Sequence, residues 1–107
     1  MSAIPAIDQG SFEREVLLSN LPVILEFGAP WCRPCKTLEP LLIQLAEEWS
    51  GKVRLLSIDV DQNPDLTARL GILGVPTVIL FSRGKELDRF TGSLPRDRIV
   101  ARFVKKL

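Results

Sequence analysis

The segment from Val23 to Val60 constrains the fold most, because it combines two buried-strand patterns with one long helical pattern. Residues 23–27 are apolar apart from Glu26, and residues 53–60 place apolar side chains on both faces, as strands covered on both sides do. Between these strands, apolar residues recur at helical spacing from Cys35 to Trp49. A strand, a helix and a second strand in that order predict a right-handed parallel crossover.

Weaker patterns lie on either side of this crossover. Residues 3–7 contain a proline and supply at most an edge strand. Residues 11–20 predict a short amphipathic helix with Ser11 at its N-cap. Residues 63–71 predict another short helix, which an Asn-Pro pair opens and a glycine closes.

The C-terminal third predicts a hairpin and a last helix. Residues 77–81 form a third buried strand, and residues 86–91 pair with it in antiparallel orientation. The apolar alternation of this last strand is out of phase, which a bulge near Asp88 would reconcile. With a final helix that starts at residues 93–95, the order predicts an α/β fold in which a mixed five-stranded sheet carries four helices on its two faces.

Length and charge exclude several classes of protein. With 107 residues the chain is long enough for one hydrophobic core and too short for two, so residues 1–107 are predicted to form a single domain. The net charge of +1 gives no reason to expect a nucleic acid or an anionic membrane as partner. The N-terminus lacks a signal peptide's basic start and apolar run, and no apolar stretch is long enough to span a bilayer, so we expect a cytoplasmic protein. In that compartment thiols are reduced at rest, which disfavours a structural disulfide.

The absence of histidine restricts the possible chemistry further. It excludes Cys-His and Ser-His nucleophilic sites and removes the commonest ligand of transition metals. Two thiolates are too few for a structural zinc, so no metal and no other cofactor is predicted. The alternative is a metal held between two chains that share their cysteines.

Cys32 and Cys35 are the only cysteines, and they lie where the first strand pattern gives way to the long helical pattern. A helix N-terminus favours an anion, so we expect Cys32 to have a depressed pKa and to act as the nucleophile. Cys35, one turn further in, is then the resolving thiol. Arg33 and Pro34 lie between them, and the charge of Arg33 should stabilise the thiolate and make the disulfide form more oxidising. The alternatives are two inert buried thiols or a static bridge, which would add little stability across so short a loop.

The stretch from Phe27 to Lys36 resembles the active-site stretch of the thioredoxin family. The resemblance covers nearly the whole chain and continues at Pro40, residues 59–61, residues 63–64, Gly71, residues 74–77, Phe81, Gly84 and Gly92. It implies the three-layer thioredoxin fold and the reduction of protein disulfides through a mixed-disulfide intermediate. It also implies a monomer that is re-reduced by a thioredoxin reductase, either NADPH- or ferredoxin-dependent.

The resemblance also implies a substrate groove beside the two cysteines. Pro76 matches the family's cis-proline, which packs against the disulfide. The backbone at Gly74 and Val75 would pair with an extended segment of the substrate, and Trp31 and Gly92 would border the groove. The alternative for Trp31 is an ordinary surface aromatic residue.

Four positions depart from the family pattern. Arg33 replaces a usual glycine and Gly28 a usual tryptophan. Glu26 replaces a buried aspartate that relays a proton to the resolving cysteine, and its burial in an apolar strand should raise its pKa. Ser57 replaces a lysine that often neighbours this acid, which should raise the pKa of Glu26 further. The alternative for Glu26 is a carboxylate near the strand end that reaches water.

Two classes of function remain open from the sequence. The first is an enzyme that donates electrons from its dithiol to protein disulfides. The second is a binding or chaperone module in which a thioredoxin-like surface recognises partner proteins and the thiols are incidental. The two cysteines beside Pro76 favour the enzyme.

Overall fold

The computed structural model describes residues 3–107, which contain a four-stranded mixed sheet. Its strands are β1 (Val23–Gly28), β2 (Arg54–Asp59), β3 (Thr77–Ser82) and β4 (Lys85–Thr91). They lie in the order β2-β1-β3-β4, with β1 parallel to β2 and antiparallel to β3, and with β3 antiparallel to β4. The parallel crossover and the C-terminal hairpin are both confirmed.

Helical segments connect the strands and cover the sheet. They are a π-helical segment (Glu13–Leu17), α1 (Arg33–Glu48), α2 (Pro64–Arg69) and α3 (Arg96–Phe103), followed by a 3-10 turn at Val104–Lys106. Each of the four predicted helices therefore has a counterpart in the structure. The α/β class and the helices on both faces agree with the prediction.

The first helical segment is shorter than predicted, and Ser11 does not cap it. The Ser11 hydroxyl donates to the carbonyl oxygen of Asp8 at 3.2 Å, and the Ser11 N–H donates to the Asp8 carboxylate at 2.9 Å. These bonds close a local turn, in which the Asp8 N–H also donates at 3.3 Å to the Ser11 hydroxyl oxygen, the acceptor that a cap would use. The segment consequently follows Phe12 and ends at Leu17 instead of extending to residue 20.

The fifth strand predicted at residues 3–7 is also wrong, because this segment makes only one isolated bridge to the sheet. Ala6 pairs in parallel with Ser57, through bonds from Ile7 N–H to Ser57 O at 2.8 Å and from Ser57 N–H to Pro5 O at 2.9 Å. Pro5 has no N–H of its own to extend the ladder. Residues 1–2 of the predicted domain lie outside the described residues.

The apolar core forms two layers, one on each face of the sheet. Val23, Leu25 and Phe27 of β1 face the layer that contains the π-helical segment and α2. Ile24 faces the other layer, where it packs with apolar residues of α1 and α3. Alternate residues of a strand share a face, so Glu26 and Gly28 point toward α1. This alternation places a carboxyl group under the helix that begins at the cysteines.

The β3-β4 hairpin contains the predicted bulge. Leu80 pairs with Asp88 and Phe81 with Glu86, so Leu87 is an extra residue on β4. The shift in register turns Phe90 into the core, where it is 5% exposed, and leaves Leu87 40% exposed.

The packing of Phe103 on the sheet gives a test of this core. Phe103 is fully buried, with its ring centroid 5.8 Å from that of Phe90. Phe103→Ala should lower the free energy of unfolding by about 3 to 5 kcal/mol, because it removes apolar contacts and leaves a cavity. Urea denaturation of the disulfide form measures this loss. The neighbouring Val104→Ala, at a side chain that is 47% exposed, is the control and should cost less than about 1 kcal/mol. Similar losses in both variants would contradict the packing described.

Candidate active site

Cys32 occupies the N-cap of α1, as the sequence predicted. Its backbone is extended (φ −84°, ψ 104°), and its sulfur accepts the N–H of Cys35 at 3.2 Å. Pro34 stands in the first turn, where its missing N–H removes no helical hydrogen bond. The Cys32 sulfur therefore receives one of the N–H groups that a helix leaves unpaired at its start.

A disulfide joins Cys32 to Cys35, whose Cα atoms lie 5.3 Å apart. The side chains of the two cysteines are buried, at 2% and 1% exposed, whereas Arg33 and Pro34 between them are exposed. The guanidinium charge of Arg33 consequently acts on the sulfurs from the solvent side, where ions and water screen it.

Glu26 lies behind the disulfide and is almost completely buried, at 1% exposed. Among the described residues its Oε2 atom has no hydrogen-bond partner. Burial and, to a smaller extent, charge repulsion from the nearby Glu39 carboxyl raise the pKa of Glu26 to about 8. Glu26 is therefore mostly protonated at neutral pH, in the direction that the sequence predicted.

Gly28 separates this carboxyl group from the resolving cysteine. A Cβ atom on Gly28 would lie 3.2 Å from the Cys35 sulfur and 3.7 Å from both Cδ and Oε1 of Glu26. The absent side chain leaves a gap that has the sulfur at one side and the carboxyl at the other. This gap belongs to a cavity of about 680 Å³ between β1, β2 and α1 that Cys35, Glu26 and Glu39 all line.

Ser57 supplies no charge to Glu26, although it is the partner of Glu26 in the β1-β2 register. Its hydroxyl lies 3.4 Å from the carbonyl oxygens of Ile4 and Pro5, to which it donates. A lysine at this position would favour the ionised carboxylate. The serine leaves burial as the largest cause of the raised pKa of Glu26.

Four of the predicted groove residues, Gly74, Val75, Pro76 and Gly92, lie at or beside a cis peptide bond between Val75 and Pro76. The Gly92 N–H donates to the carbonyl oxygen of Pro76 at 2.8 Å, which holds these two residues together. The Thr77 hydroxyl donates to the carbonyl oxygen of Gly74 at 2.6 Å and fixes the turn before the proline. The backbone predicted to contact the substrate is thus braced by its own hydrogen bonds.

Trp31 is fixed by a contact that the sequence did not reveal. Its indole Nε1 donates to Oδ2 of Asp61 at 2.7 Å, while the side chain is 67% exposed. Asp61 follows β2, thirty positions further along the chain. An exposed ring held by one hydrogen bond presents an apolar face next to Cys32 at low entropic cost.

Sequence reasoning also missed Glu39, because the strongest pattern in α1 is its apolar stripe and Glu39 lies outside it. A signal was present: Glu39 is four residues after Cys35, so both lie on one side of the helix. Residues 3–107 contain no group of three or more His, Cys, Asp or Glu side chains placed to hold a metal ion. In the same range, no helix combines the length and the apolar composition needed to cross a membrane.

Comparison with known proteins gives a consistent result. The thioredoxin family model matches residues 3–106. A thioredoxin of Synechocystis sp. is 35% identical over 107 residues and covers all of both chains. A thioredoxin of Haemophilus influenzae is 37% identical over 106 residues, 99% of this chain and 98% of that protein. A thioredoxin of Rickettsia felis is 41% identical over 86 residues, 80% of this chain and 82% of that protein.

The raised pKa of Glu26 predicts how stability depends on pH. The pKa is 4.5 for an ordinary glutamate and about 8 in the folded protein, so the folded state holds this proton more tightly than the unfolded state. The free energy of unfolding that comes from this tighter binding is fully present below about pH 4.5 and is lost as the pH rises through about 8. Each unit of difference between the folded and unfolded pKa corresponds to about 1.4 kcal/mol. We expect the free energy of unfolding of the disulfide form to fall more between about pH 5 and pH 9 in the wild type than in Glu26→Gln, which cannot ionise. Urea titrations at both pH values measure the two falls, and equal falls would contradict the assignment.

Proposed function

The chain belongs to the thioredoxin family and is a thiol-disulfide oxidoreductase, and we propose that Cys32, Cys35 and Glu26 divide the reduction of protein disulfides between them. The observation that carries the proposal is the N-cap position of Cys32, whose sulfur accepts the N–H of Cys35. Such a contact is shorter and stronger when the sulfur is an anion. The helix start therefore favours the thiolate that begins the reaction.

In the first step, the Cys32 thiolate attacks one sulfur of a substrate disulfide. A new S–S bond forms between Cys32 and the substrate, the substrate's own S–S bond breaks, and its second sulfur leaves as a thiolate. The N-terminal N–H groups of α1 stabilise the attacking charge. Arg33 adds a screened positive charge from the solvent side, so we propose that it tunes the potential and takes no part in the bond changes.

In the second step, Cys35 attacks the Cys32 sulfur, the protein disulfide closes, and the remaining substrate sulfur leaves as a thiolate. Cys35 is buried, so its thiol needs a nearby base to take the proton. Glu26 lies across the gap at Gly28, and its pKa of about 8 leaves a minor ionised fraction at neutral pH, which is the form that can accept the proton. We therefore assign Glu26 as the proton acceptor for Cys35.

An extended segment of the substrate binds along the braced backbone next to Pro76. Gly74 and Val75 offer backbone groups to such a segment, as an exposed strand edge does. Gly92 is held against Pro76 by a hydrogen bond, and the exposed ring of Trp31 provides apolar contact beside the disulfide. These features support a groove that recognises main-chain atoms and some apolar side chains of the substrate.

A protein substrate and a reductase are the partners that the family implies. We propose that one domain of residues 1–107 acts as a monomer and that its dithiol is regenerated by a thioredoxin reductase. A dithiol donor operates in a reducing compartment such as the cytoplasm. Supplying the oxidised protein with an NADPH-dependent or a ferredoxin-dependent reductase, and following the return of its thiols, distinguishes the two classes.

Substitution of each cysteine tests the order of events. Cys35→Ser should stop the reaction after the first step and accumulate a covalent complex with the substrate, because no thiol remains to release it. Cys32→Ser should lose essentially all reductase activity and form no such complex. Non-reducing electrophoresis and mass spectrometry of mixtures with an oxidised test protein measure both. A complex that accumulates only in Cys32→Ser would reverse the assignment.

Replacing Arg33 tests its effect on the redox potential. The wild type should be more oxidising than Arg33→Gly, by about 5 to 20 mV, since an exposed charge interaction is worth up to about 1 kcal/mol. Titration against glutathione buffers, with thiols counted at each ratio, gives the potential. Arg33→Lys keeps the charge and is the control, with an expected potential close to that of the wild type. Identical potentials in all three proteins would rule out a role for this charge.

A further inference from the structure

The packing of α1 on β1 brings a second carboxyl group to Glu26. Cys35 and Glu39 lie one helical turn apart on the same side of α1, and Gly28 and Glu26 lie two residues apart on the same face of β1. The Cys35 sulfur lies against Gly28. In a crossover the helix runs back along its strand, so one turn of about 5.4 Å on the helix corresponds to about two strand residues, or 6.6 Å. Glu39 therefore lies beyond Cys35 along α1 in the same direction, and at about the same distance, as Glu26 lies from Gly28 along β1.

The next step in the same register is apolar, which agrees with this alignment. Leu42 of α1 and Ile24 of β1 are fully buried members of one core cluster. The pair of Glu26 and Glu39 is thus enclosed by packed hydrocarbon on one side and by the Cys35 sulfur on the other. Glu39 is half-buried, in contrast to Glu26 at 1% exposed, and both line the cavity that also reaches Cys35.

We propose that Glu39 passes protons between Glu26 and the solvent, so that the two carboxyl groups form one relay for Cys35. The proposal rests on the role assigned above to Glu26 as the proton acceptor. No hydrogen bond joins Glu39 to either sulfur within residues 3–107, and we assign it a role that acts through Glu26, as a positioning and proton-transfer residue. Glu26 needs a route to the solvent, because its Oε2 is buried and makes no hydrogen bond within residues 3–107.

The proton balance of the second step follows directly. As the Cys35 sulfur bonds to Cys32, its proton moves to the ionised form of the Glu26 carboxyl group, and the substrate sulfur leaves with the electron pair of the broken bond. Two carboxyl groups in close contact share one proton, because both cannot ionise easily. Uptake of a proton by Glu26 therefore drives one from the pair, through Glu39, into the cavity. Re-reduction of the disulfide by the reductase reverses this path.

The elements that pack against Glu26 bring several other side chains close to it. On α1, Lys36 lines the same cavity and is exposed. On β2, Ser57 is neutral, and Asp59 accepts the N–H of Asp61 at 2.9 Å. On β3, the partner of Glu26 is Val78, and the N-terminal segment contributes Ala3 and Ala6 to the cavity wall. Glu39 is the neighbouring charge that acts on the pKa of Glu26.

Glu39→Gln tests the relay, since it removes the charge and the titration but keeps the shape. The first measurement is the titration of the Glu26 carboxyl in the disulfide form by infrared or NMR spectroscopy. Its midpoint should fall by about one pH unit, because the repulsion disappears and the amide can donate to the carboxylate. The second is the single-turnover rate at which the mixed disulfide is resolved, as a function of pH. This rate should fall about 3- to 10-fold near neutral pH, with a shifted midpoint.

Glu47→Gln is the matched control, with the same charge change at an exposed site in the last turn of α1, and it should leave both measurements unchanged. Glu39→Asp should restore most of the rate.

A rate profile of Glu39→Gln that coincides with that of Glu47→Gln would overturn the relay, whether or not the Glu26 midpoint moves. If the wild type itself fails to resolve mixed disulfides at every pH, the proposed function fails and the relay falls with it. If only the relay is wrong, the wild type and Glu39→Gln resolve them equally well.

Discussion

The contact between the Cys35 sulfur and Gly28 sets the distance between α1 and the central strand. A Cβ atom on Gly28 would lie only 3.2 Å from that sulfur, which is closer than ordinary van der Waals contact. The helix approaches the strand this closely because position 28 has no side chain. The placement of the N-cap at Cys32, and of the carboxyl groups one turn further along, follows from this approach. A larger residue at position 28 would occupy the gap through which Glu26 faces Cys35.

Burial of a carboxyl group without a cation is energetically unfavourable, and the protein meets this cost by keeping Glu26 protonated. A lysine at position 57 would stabilise the ionised form instead, but Ser57 directs its hydroxyl to the N-terminal segment. The result is an acid that gains and loses its proton near neutral pH. Stability is reduced in alkaline solution as a consequence, and proton exchange next to a buried thiol becomes possible. The burial of Glu26 therefore explains both the loss of stability at high pH and the ability of the site to exchange a proton near neutral pH.

Much of the fold could be predicted from the sequence because its strongest signals are periodic. The crossover, the buried strands and the bulge near Asp88 all follow from the spacing of apolar residues. The position of Cys32 at the start of α1 follows from the change there from a strand pattern to a helical pattern. Two predictions were wrong because local interactions competed with the predicted structure. Ser11 forms a turn with Asp8 instead of capping a helix, and Pro5 limits the N-terminal segment to one bridge with the sheet.

The parts of the site that could not be predicted are contacts between elements distant in sequence. The bond from Trp31 to Asp61 depends on how the loop after β2 folds beside the start of α1. The meeting of Glu26 and Glu39 depends on the register of a helix on a strand, which periodicity within either element does not specify. The cis bond at Pro76 was expected only from the family resemblance, since most X-Pro bonds are trans. Local pattern thus located the reactive sulfurs, and three-dimensional packing determined their surroundings.

The protonated state of Glu26 also changes the electrical charge of the whole molecule. The formal net charge of +1 counts every carboxyl group as ionised, so the disulfide form at neutral pH is about one unit more positive than its composition suggests. A thiolate at Cys32 in the reduced form would offset that unit. With Cys32 ionised as proposed, the two redox forms would differ in charge beside the proposed groove and would migrate differently in a native electric field. In a molecule of small net charge, a difference of one unit would be a large fraction of the total and would report the redox state.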